Sequence, residues 1–144
     1  MRVVGDVLRL NAKRYPEKNA LIMEDRHLSY RRLNQRVNQL AHGFLSLGIK
    51  KGDRVAILGH NTLEWVIAAY AAAKCGVVTV PINFRYQTDE LIYVINSAMP
   101  DLLVTGAECV PLVQDALPAF SRPVKMVAMS PESLASGTTC EALM

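Results

Sequence analysis

The residues that could bind phosphate form a short run near the end of the chain, residues 136–139 (SGTT). Backbone N–H groups around small residues and glycine can wrap the oxygens of a phosphate. No lysine stands in this run to neutralise a triphosphate, and the Glu141 that follows carries a carboxylate that would repel one. We therefore expect Thr138 or Thr139 to be the N-cap of a short helix instead of part of a phosphate loop.

The sequence contains none of three common active-site loops. No GxGxxG follows a predicted strand, and no GxxxxGK[ST] occurs anywhere in the chain. Gly43 and Gly48 have the right separation for the second pattern, but Ile49 stands where it needs a lysine. No GxSxG occurs either, so a hydrolase nucleophile is unsupported. A small Rossmann-like nucleotide binder is therefore the weakest interpretation.

The three histidines, His27, His42 and His60, show no metal-binding pattern. No second histidine or cysteine stands three or four residues after any of them. His60 follows the end of a predicted strand, and open α/β sheets bind ligands at such ends. A surface loop is the simpler interpretation of this residue. Trp65 and Tyr70 belong to an alanine-rich helix and are expected to pack, not to stack on a ligand.

Composition indicates a folded protein that is kept reduced. Hydrophobic residues make up 51% of the chain and charged residues 20%. The 16 lysines and arginines are scattered among 13 acidic residues, which argues against nucleic-acid binding. Cys75, Cys109 and Cys140 are odd in number and widely spaced, so we predict free thiols and a cytoplasmic location. We expect no signal peptide and no transmembrane segment, because the most apolar stretch, residues 65–80, is short and contains Lys74.

Hydrophobic periodicity predicts helices and strands in alternation. The first helix is expected over 6–14, and the second runs from a cap at Ser29 to a left-handed stop at Gly48. The third runs from a cap at Asn61 or Thr62 to Cys75, before Gly76. The fourth runs from Thr88 or Asp89 through Ile95, and the fifth over 108–117, with Pro111 in its first turn. Strands are expected over 20–23 and 27–29 as a hairpin, then over 55–58, 77–80, 102–104 and, as the last strand, 124–129. The strands at 55–58 and 77–80 should be buried, and Pro81 should end the second. The tail from Ser130 is expected to fray.

This alternation favours an α/β fold with a mostly parallel sheet, flanked by helices and joined by right-handed crossovers. Three segments then stand in order along the chain: residues 28–33 (LSYRRL) with Asn38, residues 52–57 (GDRVAI) with 61–66 (NTLEWV), and residues 73–83 (AKCGVVTVPIN). Together they resemble the N-terminal region of adenylate-forming enzymes, in particular acyl-CoA synthetases such as the long-chain fatty acid–CoA ligases. The resemblance covers residues 1–129. Its motifs are structural, since Gly76 permits a close passage between helix and strand.

The resemblance implies an acid–thiol ligase that activates a carboxylic acid, here expected to be a fatty acid, with ATP and Mg²⁺. The resulting acyl-adenylate would then be transferred to CoA. The family's phosphate loop and catalytic residues come later than residue 144 in its order of motifs. We therefore assign no catalytic, cofactor-binding or metal-binding residue within residues 1–144, and expect no ATP, Mg²⁺ or CoA to bind this fragment. It would be an inactive part of the N-terminal AMP-binding domain, cut before the phosphate loop.

One alternative of another class stays open. The chain could be a naturally short α/β interaction or scaffold module derived from the same fold, with an exposed apolar face that serves a homodimer. In the enzyme interpretation, the carboxylic acid substrate would be held by the missing region. The sequence does not distinguish CoA from a carrier protein as the acyl acceptor.

Overall fold

The chain folds as a parallel β-sheet with helices on both faces, preceded by a small hairpin. A computed structural model of the chain describes residues 3–129 and 138–144. The helices are α1 Asp6–Arg14, α2 Tyr30–Ser46, α3 Leu63–Cys75, α4 Thr88–Ala98, α5 Val110–Ala116 and α6 Cys140–Leu143. The strands are β1 Asn19–Met23, β2 Arg26–Ser29, β3 Arg54–Leu58, β4 Val78–Ile82, β5 Leu102–Thr105, β6 Lys125–Ala128 and β7 Thr138–Thr139. The predicted α/β class is confirmed.

The main sheet has the strand order β4-β3-β5-β6-β7, and all of its strands are parallel. Strands β1 and β2 pair antiparallel as the predicted hairpin. Along β3, Val55 and Ile57 pack into one hydrophobic core, and Ala56 and Leu58 pack into a second core. All four are fully buried. Successive side chains of a strand point to opposite faces, so the two cores lie on opposite faces of the sheet.

Helix α2 covers the first face and has the ends that the sequence predicts. Ser29 Oγ accepts a hydrogen bond from the backbone N–H of Arg32 at 3.4 Å, which caps the first turn. Gly48 has a φ of +84°, and just beyond it the Ile49 N–H donates to the Phe44 carbonyl at 3.1 Å. A left-handed residue after the last turn allows the chain to return and satisfy helical carbonyls.

Helix α3 packs on the same face beside α2. Thr62 Oγ1 accepts from the Trp65 N–H at 3.2 Å, and Gly76 ends the helix at a φ of +70°. Lys74 Nζ donates to Asn34 Oδ1 at 2.7 Å and to Asn38 Oδ1 at 2.6 Å, so its ammonium ties α3 to α2. Partial burial, together with the neighbouring Arg9, lowers the pKa of Lys74.

The second face is covered by α4 and α5. A capping box begins α4, in which the backbone N–H of Gln87 donates to Glu90 Oε2 at 2.9 Å. The Asn96 side chain donates to the Ala119 carbonyl at 3.0 Å and accepts from the Ser121 N–H at 2.7 Å. These two bonds fix the end of the α5 region against α4. The smaller core between these helices and the sheet is lined by Leu91, Ile95, Leu103 and Val113.

The amino ends of the strands are joined by charged side chains. Asp101 accepts from the Arg54 N–H at 2.9 Å and from Arg122 at 3.1 Å. The hydrogen bond from Arg54, with help from Arg122, holds the pKa of Asp101 below its usual value. Lys125 Nζ donates to the Leu47 carbonyl at 2.5 Å, near the end of α2 where the helix dipole favours a cation.

Four details differ from the sequence-based expectation, and two of them concern β4. Strand β4 continues through Pro81, which lies opposite Ile57, so proline does not end this strand. The same strand forms the open edge of the described sheet, and Val78 is 53% exposed, so it is not a buried strand. Both predictions were wrong because they took β4 to be an interior strand. An edge strand has a neighbour on one side only, and proline is tolerated there.

The helix expected over 108–117 is divided into 3₁₀ turns at Ala107–Cys109 and Leu117–Ala119 around α5, with Pro111 in the first turn of α5 as predicted. The strand near residue 125 is not the last, since β7 pairs with β6 beyond it. Thr139 Oγ1 accepts from the Ala142 N–H at 3.0 Å, so the predicted helix cap is confirmed. Of the tail expected to fray, residues 130–137 lie outside the described residues.

Gly43→Ala is expected to lower the free energy of unfolding by about 1–2 kcal/mol, because a side chain there overpacks the contact between α2 and α6. A Cβ at Gly43 would lie 2.5 Å from Leu143 Cβ and 2.8 Å from the Leu143 carbonyl oxygen. The substitution should also speed thiol labelling of Cys140, which is 4% exposed. Urea unfolding and mass-spectrometric labelling measure both effects. His42→Ala, at an exposed position of the same helix, is the control.

A Gly43→Ala variant that is more stable than the wild type, with Cys140 still protected, would contradict this prediction. Alanine's better helix propensity, worth about 1 kcal/mol, would then outweigh the contact.

Candidate functional site

The carboxyl ends of β3, β4 and β5 meet at one edge of the sheet, because these strands are parallel neighbours. The segments that follow them begin with Gly59, Asn83 and Gly106. Open α/β sheets bind ligands at this edge. His60, the one histidine that the sequence placed after a strand, lies here. The candidate site is therefore built from the residues that directly follow these three strands.

The carboxylate of Glu108 is the centre of this edge. It lies in the 3₁₀ turn before α5, and its Oε1 accepts a hydrogen bond from the His60 backbone N–H at 2.7 Å. The same oxygen lies 3.5 Å from Nδ1 of the His60 imidazole. One carboxylate therefore joins the segment after β5 to the segment after β3.

Two glycines make room for this carboxylate. A Cβ at Gly106 would lie 2.6 Å from both carboxylate oxygens of Glu108, closer than any side chain could approach. A Cβ at Gly59 would lie 3.3 Å from Glu108 Oε1 and 3.2 Å from the Met129 side chain. Neither glycine has a positive φ, so the requirement is for space and not for a left-handed backbone.

The segment after β4 is joined to this centre through aromatic contacts. The His60 ring packs edge-to-face on Phe84, with ring centroids 4.2 Å apart and an angle of 83° between the planes. The Arg85 guanidinium lies 5.6 Å from the Phe84 ring centroid. Asn83 Oδ1 accepts from the Arg85 N–H at 3.0 Å and holds this turn. Glu108, His60 and Phe84 thus link the ends of three strands.

This arrangement does not fit a phosphate group. The His60 N–H, which could donate to a phosphate oxygen, already donates to Glu108, whose negative charge would repel one. The nearby hydroxyl, on Thr105, is buried and donates to the Gly106 carbonyl. Burial, together with the charge of Glu108, raises the pKa of Cys109 to about 11, so its thiolate is scarce at neutral pH. The edge is built to hold the strand ends together.

The other residues with possible chemistry lie apart from this edge. His27 pairs with Asn19 within the hairpin at 3.4 Å, and His42 is exposed on α2. Trp65 and Tyr70 are half-buried against the first core, as predicted. Ser136 and Gly137 of the hydroxyl run lie outside the described residues.

Neither a metal cluster nor a membrane span is found in residues 3–129 and 138–144. No group of three or more histidine, cysteine or acidic side chains there could hold a metal ion. The helices in these ranges are all too short or too polar to cross a bilayer.

The sequence alone did not predict a role for Glu108, Gly59 or Gly106. A signal was present: a glycine follows each of two predicted strands within two residues, and a glutamate follows the second glycine by two residues. That pattern becomes informative only when β3 and β5 are known to be neighbours, which is a property of the fold.

Glu108→Ala is expected to lower the free energy of unfolding by about 0.5–1 kcal/mol, because it removes a charge-assisted hydrogen bond at a partly exposed site. Glu108→Gln keeps an acceptor for the His60 N–H and should lose less than half of that amount. Urea unfolding of both variants tests the order. Asp115→Ala, at an exposed position on α5, is the control, and equal losses in the two Glu108 variants would contradict the proposed role of the accepting oxygen.

A family model described as AMP-binding enzyme matches residues 8–141 of this chain. The crotonobetaine/carnitine–CoA ligase of Salmonella paratyphi A is 36% identical over 128 residues, which are 85% of this chain and 25% of that protein. The mitochondrial medium-chain acyl-CoA ligase ACSF2 of Mus musculus is 38% identical over 94 residues, which are 64% of this chain and 15% of that protein. The chain thus spans about a quarter or less of the length of these relatives.

The fold is similar to that of solved ligase domains. The N-terminal domain of FACL13 from Mycobacterium tuberculosis superposes with a TM-score of 0.80 at 31% identity. The match covers 99% of this chain and 35% of that domain. Sequence and fold agree with the resemblance carried by the three ordered motifs, and the chain belongs to the AMP-binding enzyme family.

Proposed function

We propose that this chain is part of the N-terminal domain of an ATP-dependent acid–CoA ligase. The parent protein would join a carboxylic acid to AMP and then transfer the acyl group to CoA. The observation that carries this proposal is the family match over residues 8–141, with relatives named as CoA ligases. The two-faced sheet supports it, since two of the three motifs on which the resemblance depends contain β3 and β4, and the third begins α2, which covers one face.

The reacting groups of the parent would lie in the remainder of the protein. Attack on the α-phosphate of ATP needs Mg²⁺ and positive side chains to stabilise the charge that develops. The cluster at the carboxyl edge has the carboxylate of Glu108 at its centre, and the Arg85 guanidinium at this edge lies 5.6 Å from the Phe84 ring centroid. ATP, Mg²⁺ and CoA would thus be bound by residues of the longer protein, and residues 1–144 would supply the scaffold.

The acid substrate in this proposal is a fatty acid. Two relatives are named for different acids, crotonobetaine or carnitine in one and medium-chain acyl groups in the other. What those names share is a carboxylate and CoA. The relatives therefore support an acid–CoA ligase more than they support a fatty acid as its substrate. We propose a cytoplasmic location, which Cys75 and Cys109 support because both are free cysteines.

The purified chain should release no pyrophosphate from ATP and Mg²⁺ when a fatty acid is added, because the proposal assigns the groups that bind and neutralise the triphosphate to the longer protein. A coupled pyrophosphate assay measures this, with a full-length acid–CoA ligase as the positive control. Circular dichroism establishes that the chain is folded under the same conditions. Acid-dependent pyrophosphate release by the chain would contradict the assignment of the reacting groups to other residues.

The alternative is an interaction or scaffold module that forms a homodimer, and it is favoured by exposed apolar side chains. Tyr93 is 73% exposed, and Val3 and Val4 are 63% and 65% exposed. An isolated part of a larger domain and a natural module would both expose such residues, but they differ in how they associate.

Size-exclusion chromatography with light scattering separates the two proposals. A part of a larger domain should associate weakly and without a fixed stoichiometry, because its apolar surface is complementary to other chain segments. A module should reach a defined dimer of the 15.9 kDa chain that persists on dilution. A persistent dimer, together with the absence of pyrophosphate release, would favour the module over the ligase part.

A further inference from the structure

Strand β4 has a neighbour on one side only, since the part of the chain that the structure describes places no strand beyond it. In a parallel pair, the N–H and C=O of one residue point to the same neighbour, and those of the next residue point the other way. The Val78 N–H donates to the Asp53 carbonyl at 2.8 Å, beside its register partner Arg54 on β3. The backbone groups of Val78 therefore point toward β3.

By this alternation, the backbone groups of Thr79 and Pro81 point toward the open edge. Proline has no N–H, so at Pro81 the edge offers a carbonyl without the donor that should accompany it. The N–H of Val77, just before the strand, already donates to the Ala72 carbonyl at 3.4 Å. Thr79 is consequently the one residue of β4 that offers a donor to a strand arriving at this edge.

The surroundings of the edge would otherwise favour pairing with another chain. Val78 is 53% exposed on the strand itself, and Val3 and Val4 beside it are 63% and 65% exposed. A groove of about 580 Å³, lined by apolar residues from these segments and α3, runs along it. An exposed strand edge next to apolar surface is a template for strand addition.

We infer that Pro81 closes this edge to pairing with the β4 strand of a second copy of the chain. In an antiparallel pair of two β4 strands, Pro81 of each copy would lie opposite a carbonyl of the other copy that needs an N–H donor. Each proline would leave that carbonyl without a donor, so the pair would keep only the bonds made by Thr79. Association through the exposed valines then leaves the backbone of β4 unpaired.

Pro81→Val tests the inference, because it restores the donor and has high strand propensity. At a concentration where the wild type elutes as the 15.9 kDa monomer, the variant should elute at about twice that mass. Hydrogen exchange at the Thr79 amide should be fast in the wild type and several-fold slower in the variant. Pro123→Val, at an exposed proline before β6, should change neither measurement.

A second substitution shows whether the new contact uses this edge. Adding Val78→Lys to Pro81→Val should return the monomer and fast exchange, because lysine on an edge strand opposes pairing. The inference is overturned if folded Pro81→Val stays monomeric with fast exchange, or if the double variant stays dimeric. Should Pro81→Val not fold, Pro81→Ala takes its place, and a protected Thr79 amide in the wild type by itself overturns the inference.

Discussion

Burial of strand β3 on both of its faces is the constraint on which the rest of this structure depends. Val55 and Ile57 on one side and Ala56 and Leu58 on the other have no exposed surface. Each of the three larger side chains stabilises the fold by about 1.5–3 kcal/mol only if a layer of helices excludes water from its face. Helices α2 and α3 supply one layer, and α4 and α5 supply the other.

Parallel pairing on both sides of β3 has a second consequence at the ends of the strands. Parallel neighbours need crossover connections, so every strand of the sheet ends at the same edge. There a Cβ at position 106 would lie 2.6 Å from the carboxylate oxygens of Glu108, and a Cβ at position 59 would lie 3.3 Å from Glu108 Oε1 and from the Gly106 backbone nitrogen. The space left between the two glycines is filled by the carboxylate of Glu108. Many α/β proteins bind ligands at this edge, whereas here the carboxylate of Glu108 links the segments that follow β3 and β5.

This arrangement agrees with the proposal that the reacting groups of the parent protein lie outside residues 1–144. The motifs that identify the family lie in β2, α2, β3, α3 and β4, where they have structural roles. Gly76 turns the chain from α3 into β4, and Thr62 caps α3. Such residues specify a scaffold, and a scaffold can be recognised without the residues that carry out the chemistry.

Most of the fold could be predicted from the sequence, because its signals are local. The caps at Ser29 and Thr62 and the stops at Gly48 and Gly76 act on backbone groups within a few residues of themselves. The candidate site could not be predicted in this way, since Glu108 and His60 are 48 residues apart and meet only when β3 and β5 pair.

The role of Pro81 also depends on the order of the strands in the sheet. A proline within a strand pattern predicts an end, and only the tertiary structure shows that β4 is an edge strand, where the missing N–H faces outward and costs no ladder bond. The sequence by itself determined the elements and the family, because capping and periodicity are short-range. Which strand ends meet, and which edge stays open, was decided by the tertiary structure, because strand order is a long-range property of the packed chain.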